Sequence, residues 1–326
     1  MTPGLVSVIV CAYNNWPDVE MTIESGLHQS YQPLEVIVVD NSSTDATARM
    51  VPMRFGRKIK YIRQENLGCA GAHNTGFGVA SGEFIQFVSG DDVLAPNKIE
   101  KQVEVFRADP GLDIVYGDFR RFQTSAAVAN WEDVSTRQAD DIFRTIVALD
   151  EKWSGITTLG ALFHRKALEK VGHWDESLYI EDLDYWLRAA SAGCRFGHCP
   201  GDLMGFYRVW PGQKTQNRSA MAWGEEAVLE KALGYVVHMP YRSLVAAKLA
   251  RSRFYLAVTG NQMTKREALA KLALARATSP GTIPAFAYAA GYASIILPRG
   301  TTLVRSPRLR AVRRFLARLL RYGKSG

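Results

Sequence analysis

Two pairs of acidic residues in this 326-residue sequence lie where a carboxylate can do chemistry. Asp91-Asp92 follows an apolar run and a Ser-Gly turn, and a carboxylate at the end of a strand can hold a divalent cation against a diphosphate. Glu181-Asp182 follows Tyr179-Ile180, and a carboxylate there can accept a proton from an attacking hydroxyl. With the ordinary pKa of an aspartate, Asp182 is expected to be ionised near neutral pH.

Each pair also has a simpler interpretation. Asp92 precedes Val93-Leu94-Ala95-Pro96, so the first pair can be the N-cap of a helix. Glu181 and Asp182 can instead compensate the dipole of a first helical turn. Neither pair decides between these interpretations alone.

Other residues suit a nucleotide. A tyrosine such as Tyr13 can stack on a base, and Asp40 can accept a hydrogen bond from a base or a ribose. Core or turn roles are the alternatives for both. Asn66 with Gly68, and Gly71 to Gly76 around Asn74, combine amides with small residues, so the backbone can approach a ligand closely. Neither GxxxxGK[ST] nor GxGxxG is present, so neither a P-loop nor a dinucleotide site is predicted.

The first half of the chain alternates between strands and helices, and these elements must position the candidate residues. Strands are predicted over residues 6–10, 34–39, 59–63, 83–88, 112–120 and 156–164, and helices over 17–29, 45–50, 71–80 and 181–192. The repeated β-α-β order predicts an α/β fold with a doubly wound, mostly parallel sheet. Ligands of such sheets bind at the carboxyl ends of strands, where Tyr13, Asp40 and Asp91 fall. Beyond residue 215 only helical patterns remain, so we predict a catalytic domain over 1–215 and a helical region over 216–326.

The order of four motifs resembles the family 2 glycosyltransferases of the GT-A fold. The motifs are SVIVCAYNN, EVIVVDNSSTD, ENLGCAGAHNTGFGVASGEFIQFVSGDD and IEDLDYWLRAASAG, and the match covers roughly residues 5–215. The resemblance implies an inverting enzyme that binds a nucleotide diphosphate sugar, often UDP-linked, with Mg²⁺ or Mn²⁺.

The resemblance also implies roles for individual residues. Asp182 matches the general base, with Glu181 beside it, and Asp91 matches the last aspartate of the D-x-D metal motif. The residues expected to bind the nucleotide sugar are Ala12, Tyr13, Asn15, Asp40, Asn66, Gly68, Asn74 and Asp91.

The chain departs from the family pattern at the metal site. Ser89 replaces the first aspartate of D-x-D, and Trp210 stands where many members place a histidine after Tyr207-Arg208. In addition, Cys11-Ala12 replaces the usual Pro-Thr, and His73 replaces an arginine. No QxxRW-like segment follows Asp182, which favours addition of a single sugar.

The net charge of +8 comes from the C-terminus, because residues 301–326 carry eight basic residues and no acid. Residues 308–322 form a basic amphipathic helix by pattern, which is typical of docking on an anionic membrane surface. Packing on the protein is the alternative, and nucleic-acid binding is not predicted. The apolar segment 282–298 reaches only the lower limit for spanning a bilayer, so a buried or interfacial segment is favoured. We expect a protein of the cytoplasm, without a signal peptide, peripheral on the inner membrane face and acting on a glycan or lipid-linked acceptor.

Two rival classes and two weaker signals remain. A non-catalytic nucleotide-sugar-binding protein would explain Ser89 and Trp210. A nucleotidyltransferase should carry an N-terminal Gly-rich phosphate loop, and residues 8–15 show none.

Cys194, His198 and Cys199 lack a fourth zinc ligand, so reduced thiols are favoured. Residues 153–155, Trp174 and Trp210 are candidates for stacking on an acceptor sugar, with ordinary packing as the alternative.

Overall fold

The computed structural model describes residues 1–125, 128–136, 139–148, 155–259 and 263–296. Its backbone divides into two compact units, residues 1–142 with 153–216 and residues 143–152 with 217–326. The boundary predicted after residue 215 lies next to this division, whereas the assignment of residues 143–152 to the second unit was not predicted. The basic segment 308–322 and residues 153–154 lie outside the described residues.

Four parallel strands form the first part of the sheet. They are β1 (Thr2–Ala12), β2 (Leu34–Asp40), β3 (Lys60–Arg63) and β4 (Gly82–Ser89). The helices between them are α1 (Asp18–Leu27), α2 (Thr47–Phe55, followed by a 3-10 turn over Gly56–Lys58) and α3 (Gly68–Val79). Continuous β-branched runs such as VSVIV and VIVV build β1 and β2, because strands covered on both faces need apolar residues on both.

Five further strands, mostly paired antiparallel, extend the sheet. They are β5 (Val93–Leu94), β6 (Ile114–Ser125), β7 (Val128–Val134), β8 (Ala161–His164) and β9 (Phe196–Arg208). The strand order is β3-β2-β1-β4-β8-β6-β9-β5, with β7 on β6; β9 runs parallel to β6, and the others pair antiparallel. The helices are α4 (Lys98–Ala108), α5 (Ile142–Ala148), α6 (Arg165–Val171) and α7 (Glu181–Ser191).

The predicted α/β class with a mostly parallel sheet is confirmed, and individual elements differ from the expectations. The strand expected over 156–164 is reduced to β8, and β9 and α4 were not predicted. Asp92 does not cap a helix, because the two residues after it form β5 and the next helix begins only at Lys98.

A fully buried lysine ties helix α4 to the strands beneath it. The Nζ of Lys98 donates to the side-chain oxygens of Gln86 and Gln102 and, at 3.3 Å, to the carbonyl of Ala161. Burial lowers the pKa of Lys98, because it disfavours the charged form. The three acceptor oxygens act in the opposite direction, since they match the three N–H bonds of an ammonium group. The amide of Gln86 then donates to the carbonyl of Thr158 at 3.0 Å, so this cluster also fixes the segment before β8.

The second unit is helical. Besides most of α5, it contains α8 (Arg218–Tyr235), α9 (Met239–Thr259), α10 (Lys265–Thr278) and α11 (Ala285–Ile296). Buried Arg253 on α9 donates to Glu226 at 3.1 Å and to Glu230 at 2.7 Å, which fastens α9 to α8. Within the described ranges, no helix has both the length and the apolar character needed to cross a bilayer.

Candidate active site

The register of the parallel strands brings several predicted residues to one edge of the sheet. Ala12 lies opposite Asp40, and Cys11 lies opposite Ser89, at the carboxyl ends of β1, β2 and β4. The apolar runs set this register, since a one-residue slip would turn every buried side chain to the other face.

The loop after β1 carries an exposed aromatic ring on a fixed backbone. Tyr13 is 47% exposed, and its backbone N–H donates to the side-chain oxygen of Asn15 at 2.6 Å. Asn14 adopts a left-handed φ of 50°, and its side-chain oxygen accepts from the backbone N–H of Thr44 at 2.8 Å. The ring of Tyr13 is therefore free to stack on a flat ligand, and the side chain of Asn15 shapes the loop.

Asp40 is completely buried, and both of its oxygens accept hydrogen bonds from the protein. The donors are the backbone N–H of Ser43 at 2.9 Å and the hydroxyl of Tyr61 at 2.5 Å. Burial, with the hydrogen bond and charge of Asp40 next, raises the pKa of Tyr61, so this phenol stays a donor. These contacts hold the turn after β2, and the predicted bond of Asp40 to a nucleotide stays a prediction.

Asn66 and Gly68 form the entry to helix α3. Gly68 has a φ of +70°, and its N–H donates to the side-chain oxygen of Asn66 at 3.1 Å. Asn41 fastens this turn to the sheet, because its side-chain amide donates to the carbonyl of Gly68 at 2.9 Å. The amino end of α3, which carries partial positive charge, thus begins beside the edge that holds Asp40.

Asn74 makes a different contact from the one predicted. Its amide nitrogen donates to the carbonyl of Trp174 at 3.0 Å and to Glu176, and its oxygen accepts from the N–H of Trp174 at 2.9 Å. Neighbouring His73 is buried between the rings of Phe87 and Trp174. Asn74 therefore braces the segment that leads into α7, and a bond to the nucleotide sugar stays a prediction.

The acidic pair after β4 divides into a buried and a partly exposed member. The carboxylate of buried Asp92 accepts the backbone N–H of Arg208 at 2.9 Å. The guanidinium of Arg208 donates to the carbonyl of Asp91 at 2.9 Å and pairs with Asp18 at 3.2 Å. Asp91 accepts only one side-chain hydrogen bond among the described contacts, from the indole N–H of Trp210 at 3.0 Å. Burial raises the pKa of Asp91, and the hydrogen bond from Trp210 opposes that rise.

The second acidic pair begins helix α7. Glu181 pairs with Lys214 at 2.7 Å, and Asp182 accepts the backbone N–H of Leu183 at 2.8 Å. Burial and then the charge of Glu181 raise the pKa of Asp182 to about 6. This differs from the ordinary pKa assumed from the sequence, because the sequence does not reveal the burial. Asp182 is thus a stronger base than an ordinary aspartate and is still mostly ionised at neutral pH.

Tyr207 on β9 links the two acidic pairs. Its hydroxyl accepts a hydrogen bond from the side chain of Gln213 at 2.7 Å. After burial, the carboxylates of Asp92, Asp91 and Asp182 all contribute to raising its pKa, so all three lie within electrostatic reach of one phenol. Contacts of its neighbours agree, because the N–H of Arg208 binds Asp92 and Lys214, next to Gln213, pairs with Glu181.

Comparisons with known proteins agree with this arrangement. The sequence signature described as "Glycosyl transferase family 2" matches residues 7–172. The chain belongs to glycosyl transferase family 2. The predicted family is thereby confirmed. The succinoglycan biosynthesis protein ExoO of Rhizobium meliloti is 30% identical over 80% of this chain and 78% of its own length.

Two solved structures share the fold of this family 2 member. S. aureus TarS in complex with UDP-GlcNAc has a TM-score of 0.62 at 15% identity, covering 89% of this chain and 86% of that one. The mannosyltransferase PcManGT of Pyrobaculum calidifontis, in complex with GDP-Man and Mn²⁺, has a TM-score of 0.56 at 23% identity, covering 97% and 85%. At these identities the likeness shows the fold alone. The chain also spans only about half the length of several curated relatives that it matches.

The residues of this family 2 member can bind a divalent cation only together with ligands that do not come from the protein, such as waters or substrate phosphates. Asp91 offers a carboxylate that is partly exposed, and Ser89 offers a hydroxyl at most. In the described part of the chain, no group of three or more His, Cys, Asp or Glu side chains surrounds a common point. Mg²⁺ is commonly held by one or two carboxylates together with waters and substrate phosphates, and Asp91 suits that type of site.

Three residues of this family 2 member have roles that were not predicted from the sequence. Arg208, Gln213 and Lys214 fasten Asp91, Tyr207 and Glu181 respectively. The only signal was the position of Tyr207-Arg208 in the family pattern. Asp91 and Glu181 lie far from Arg208 and Lys214 in sequence, and the spacing of six residues from Tyr207 to Gln213 matches no contact within a helix or a strand, so no local pattern reveals these contacts.

Proposed function

We propose that this protein transfers a single sugar, with inversion, from a nucleotide diphosphate sugar to a hydroxyl group of a glycan or lipid-linked acceptor. The observation that carries the proposal is that one short segment contacts both acidic pairs: Trp210 donates to the partly exposed carboxylate of Asp91, and Lys214 pairs with Glu181 beside the partly exposed Asp182. One carboxylate suits a diphosphate held through a cation, and the other suits a base. We take a UDP-sugar as the donor, consistent with the UDP-GlcNAc bound by the structural neighbour TarS.

In the proposed reaction, Asp182 accepts the proton of the acceptor hydroxyl as its oxygen bonds to the anomeric carbon. The bond from that carbon to the diphosphate oxygen breaks at the same time, and the nucleoside diphosphate leaves with the electron pair. A raised pKa suits this role, because a base works best when its pKa approaches the pH of the reaction. Glu181 keeps Lys214 beside Asp182 and so limits the cost of two neighbouring negative charges.

The nucleotide would lie along the edge formed by β1, β2 and the start of α3. The exposed ring of Tyr13 suits stacking on the base, and the amino end of α3 suits the negative charge of the diphosphate. Asp91 would hold a bound Mg²⁺ or Mn²⁺, which would neutralise charge on the departing diphosphate.

The test combines nucleotide binding with transfer. A thermal-shift panel of nucleotide sugars with and without Mn²⁺ should reveal the donor, because a ligand that binds only the folded state raises the melting temperature. With that donor, Asp182→Asn should lose transfer by on the order of 10²–10⁴-fold and still bind the nucleotide. Transfer at a near-normal rate in this variant would remove Asp182 from its role.

The second candidate function is a non-catalytic nucleotide-sugar-binding protein. The hydrogen bond from Trp210 to Asp91, together with Ser89, favours it. The two functions differ in one measurement: such a protein would be stabilised by the nucleotide sugar but would neither transfer nor hydrolyse it.

We also propose that the protein works at the cytoplasmic face of a membrane. The proposal rests on the sequence of residues 308–322, in which a helical repeat would place most arginines opposite the leucines. Lipid-linked acceptors would be available at that surface.

A further inference from the structure

The indole of Trp210 lies on the carboxylate that would hold the cation. Its Nε1–H donates to Oδ2 of Asp91 at 3.0 Å, and the side chain is 42% exposed. An indole N–H is a donor without a lone pair, so Trp210 cannot itself be a metal ligand. Its N–H occupies one lone pair of Oδ2 and draws charge from the carboxylate, so Asp91 is a weaker ligand for a cation while the bond is in place.

A tight turn fixes the position of this indole. The backbone N–H of Gln213 donates to the carbonyl of Trp210 at 3.1 Å, which closes the turn Trp210–Gln213. Gly212 lies directly under the ring, because a Cβ added there would come within 2.0 Å of Cζ3 of Trp210. The turn thus has a glycine at the position where a larger residue would displace the indole.

A cation that arrives alone finds little to bind. It would gain one carboxylate whose Oδ2 already accepts a hydrogen bond from Trp210, so full use of that oxygen would weaken or break this bond. The described side chains supply no cluster of three ligating groups that would repay this loss. A nucleoside diphosphate brings additional oxygens of its own, and a cation already bound to it needs only one ligand from the protein.

We propose that Trp210 makes cation binding depend on the nucleotide, so that Mn²⁺ or Mg²⁺ binds Asp91 only together with a nucleoside diphosphate. Trp210 is a specificity-determining residue in this sense, since it excludes the free cation from the site. The inference rests on the proposed function, because it takes a nucleoside diphosphate as the ligand.

The experiment is a Mn²⁺ titration of the full chain, with and without UDP, in which the electron paramagnetic resonance signal reports free Mn²⁺. The wild-type protein should take up no Mn²⁺ at millimolar concentration without UDP and should bind it when UDP is present. Tryptophan fluorescence should change on binding, and the change should be lost in Trp210→Phe. Removing the N–H in that variant should tighten Mn²⁺ binding in the presence of UDP on the order of tenfold, the typical effect of a hydrogen bond to a charged group.

Two further variants separate the indole from general damage to the loop. Gly212→Ala leaves Trp210 and Asp91 in the chain but displaces the ring, so it should tighten Mn²⁺ binding as Trp210→Phe does. Gly234→Ala is the matched control, because an added Cβ there meets no atom within 4 Å, and it should leave the titration unchanged. Trp210→His, which supplies a ligand in place of the donor, should bind Mn²⁺ without UDP.

Each failure has a distinct meaning. Tight Mn²⁺ binding to the wild-type protein without UDP would overturn the inference and leave the proposed function standing. Unchanged affinity in both Trp210→Phe and Gly212→Ala would also overturn it. If no nucleoside diphosphate raises the melting temperature, with or without Mn²⁺, the proposed function fails and the inference fails with it.

Discussion

Replacing Asp182 by asparagine should remove transfer and at the same time make the protein more stable. The carboxylate is partly buried beside the charge of Glu181, and its pKa of about 6 lies above its ordinary value. An acid with a raised pKa holds its proton more tightly in the folded than in the unfolded state. Ionised Asp182 therefore opposes folding at neutral pH, and a neutral side chain of the same shape removes that cost. The asparagine oxygen can still accept the N–H of Leu183.

The size of the gain follows from the pKa difference. A rise from the ordinary value to about 6 corresponds to a cost of at most about 3 kcal/mol, and about 1–2 kcal/mol after allowing for solvent and for Lys214. For a unit of this size, that amounts to a rise of about 2–8 °C in melting temperature. Since the folded state binds the extra proton between about pH 4 and pH 6, the cost grows as the pH rises through that window. The gain in the variant should be full at pH 7.5, smaller at pH 5 and absent near pH 4.

The assay is a set of thermal melts across pH with a control from the same helix. Asp184 is fully buried and pairs with Arg188 at 2.8 Å, so Asp184→Asn should lower stability by about 3–5 kcal/mol. The same substitution at two nearby aspartates should thus change stability in opposite directions. A gain for Asp182→Asn that does not change with pH, or no gain at pH 7.5, would refute the reasoning from a buried charge. Transfer by the wild-type protein should decline as the pH falls below about 6.

Three further outcomes are expected. Lys98→Met should lower the free energy of unfolding in denaturant by at least about 2 kcal/mol, because it leaves buried acceptors unpaired. Lys101→Met on the same helix should change it by no more than about 0.5 kcal/mol. Equal effects would contradict the role of the buried cluster. Asn74→Ala should lower the melting temperature of the nucleotide-free protein, because it removes the two hydrogen bonds to the backbone of Trp174. Loss of nucleotide binding at unchanged stability would instead make Asn74 a ligand-binding residue. Deleting residues 305–326 should reduce co-sedimentation with anionic vesicles and spare nucleotide binding, and undiminished co-sedimentation would argue against membrane docking through the tail.

The strand ends were predictable because apolar runs determine both the strands and their register. VSVIV and VIVV must pair in parallel with both faces covered, which brings Ala12 opposite Asp40. By contrast, β9 is broken by Gly197, Pro200 and Gly201, and its pairing with β6 shifts register twice. A strand of this kind carries no continuous apolar or alternating signal.

Helix α4 was missed for a different reason. Its buried face includes Lys98 and Gln102, two residues that sequence patterns assign to a solvated face. They are buried because they satisfy each other and the carbonyls of the neighbouring strands. Such pairing depends on tertiary structure, so the sequence does not reveal it.

The aspartates of the site show why residue type alone does not distinguish a structural aspartate from one that binds a cation or accepts a proton. Asp40 is buried and satisfied by Tyr61 and Ser43, and buried Asp92 accepts the backbone of Arg208. Both hold loops in place. Asp91 and Asp182 are partly exposed, and their described hydrogen bonds come from one indole and from nearby backbone. A carboxylate that must bind a cation or accept a proton needs lone pairs that a ligand can reach, so the two aspartates that the fold leaves partly exposed are the ones suited to react.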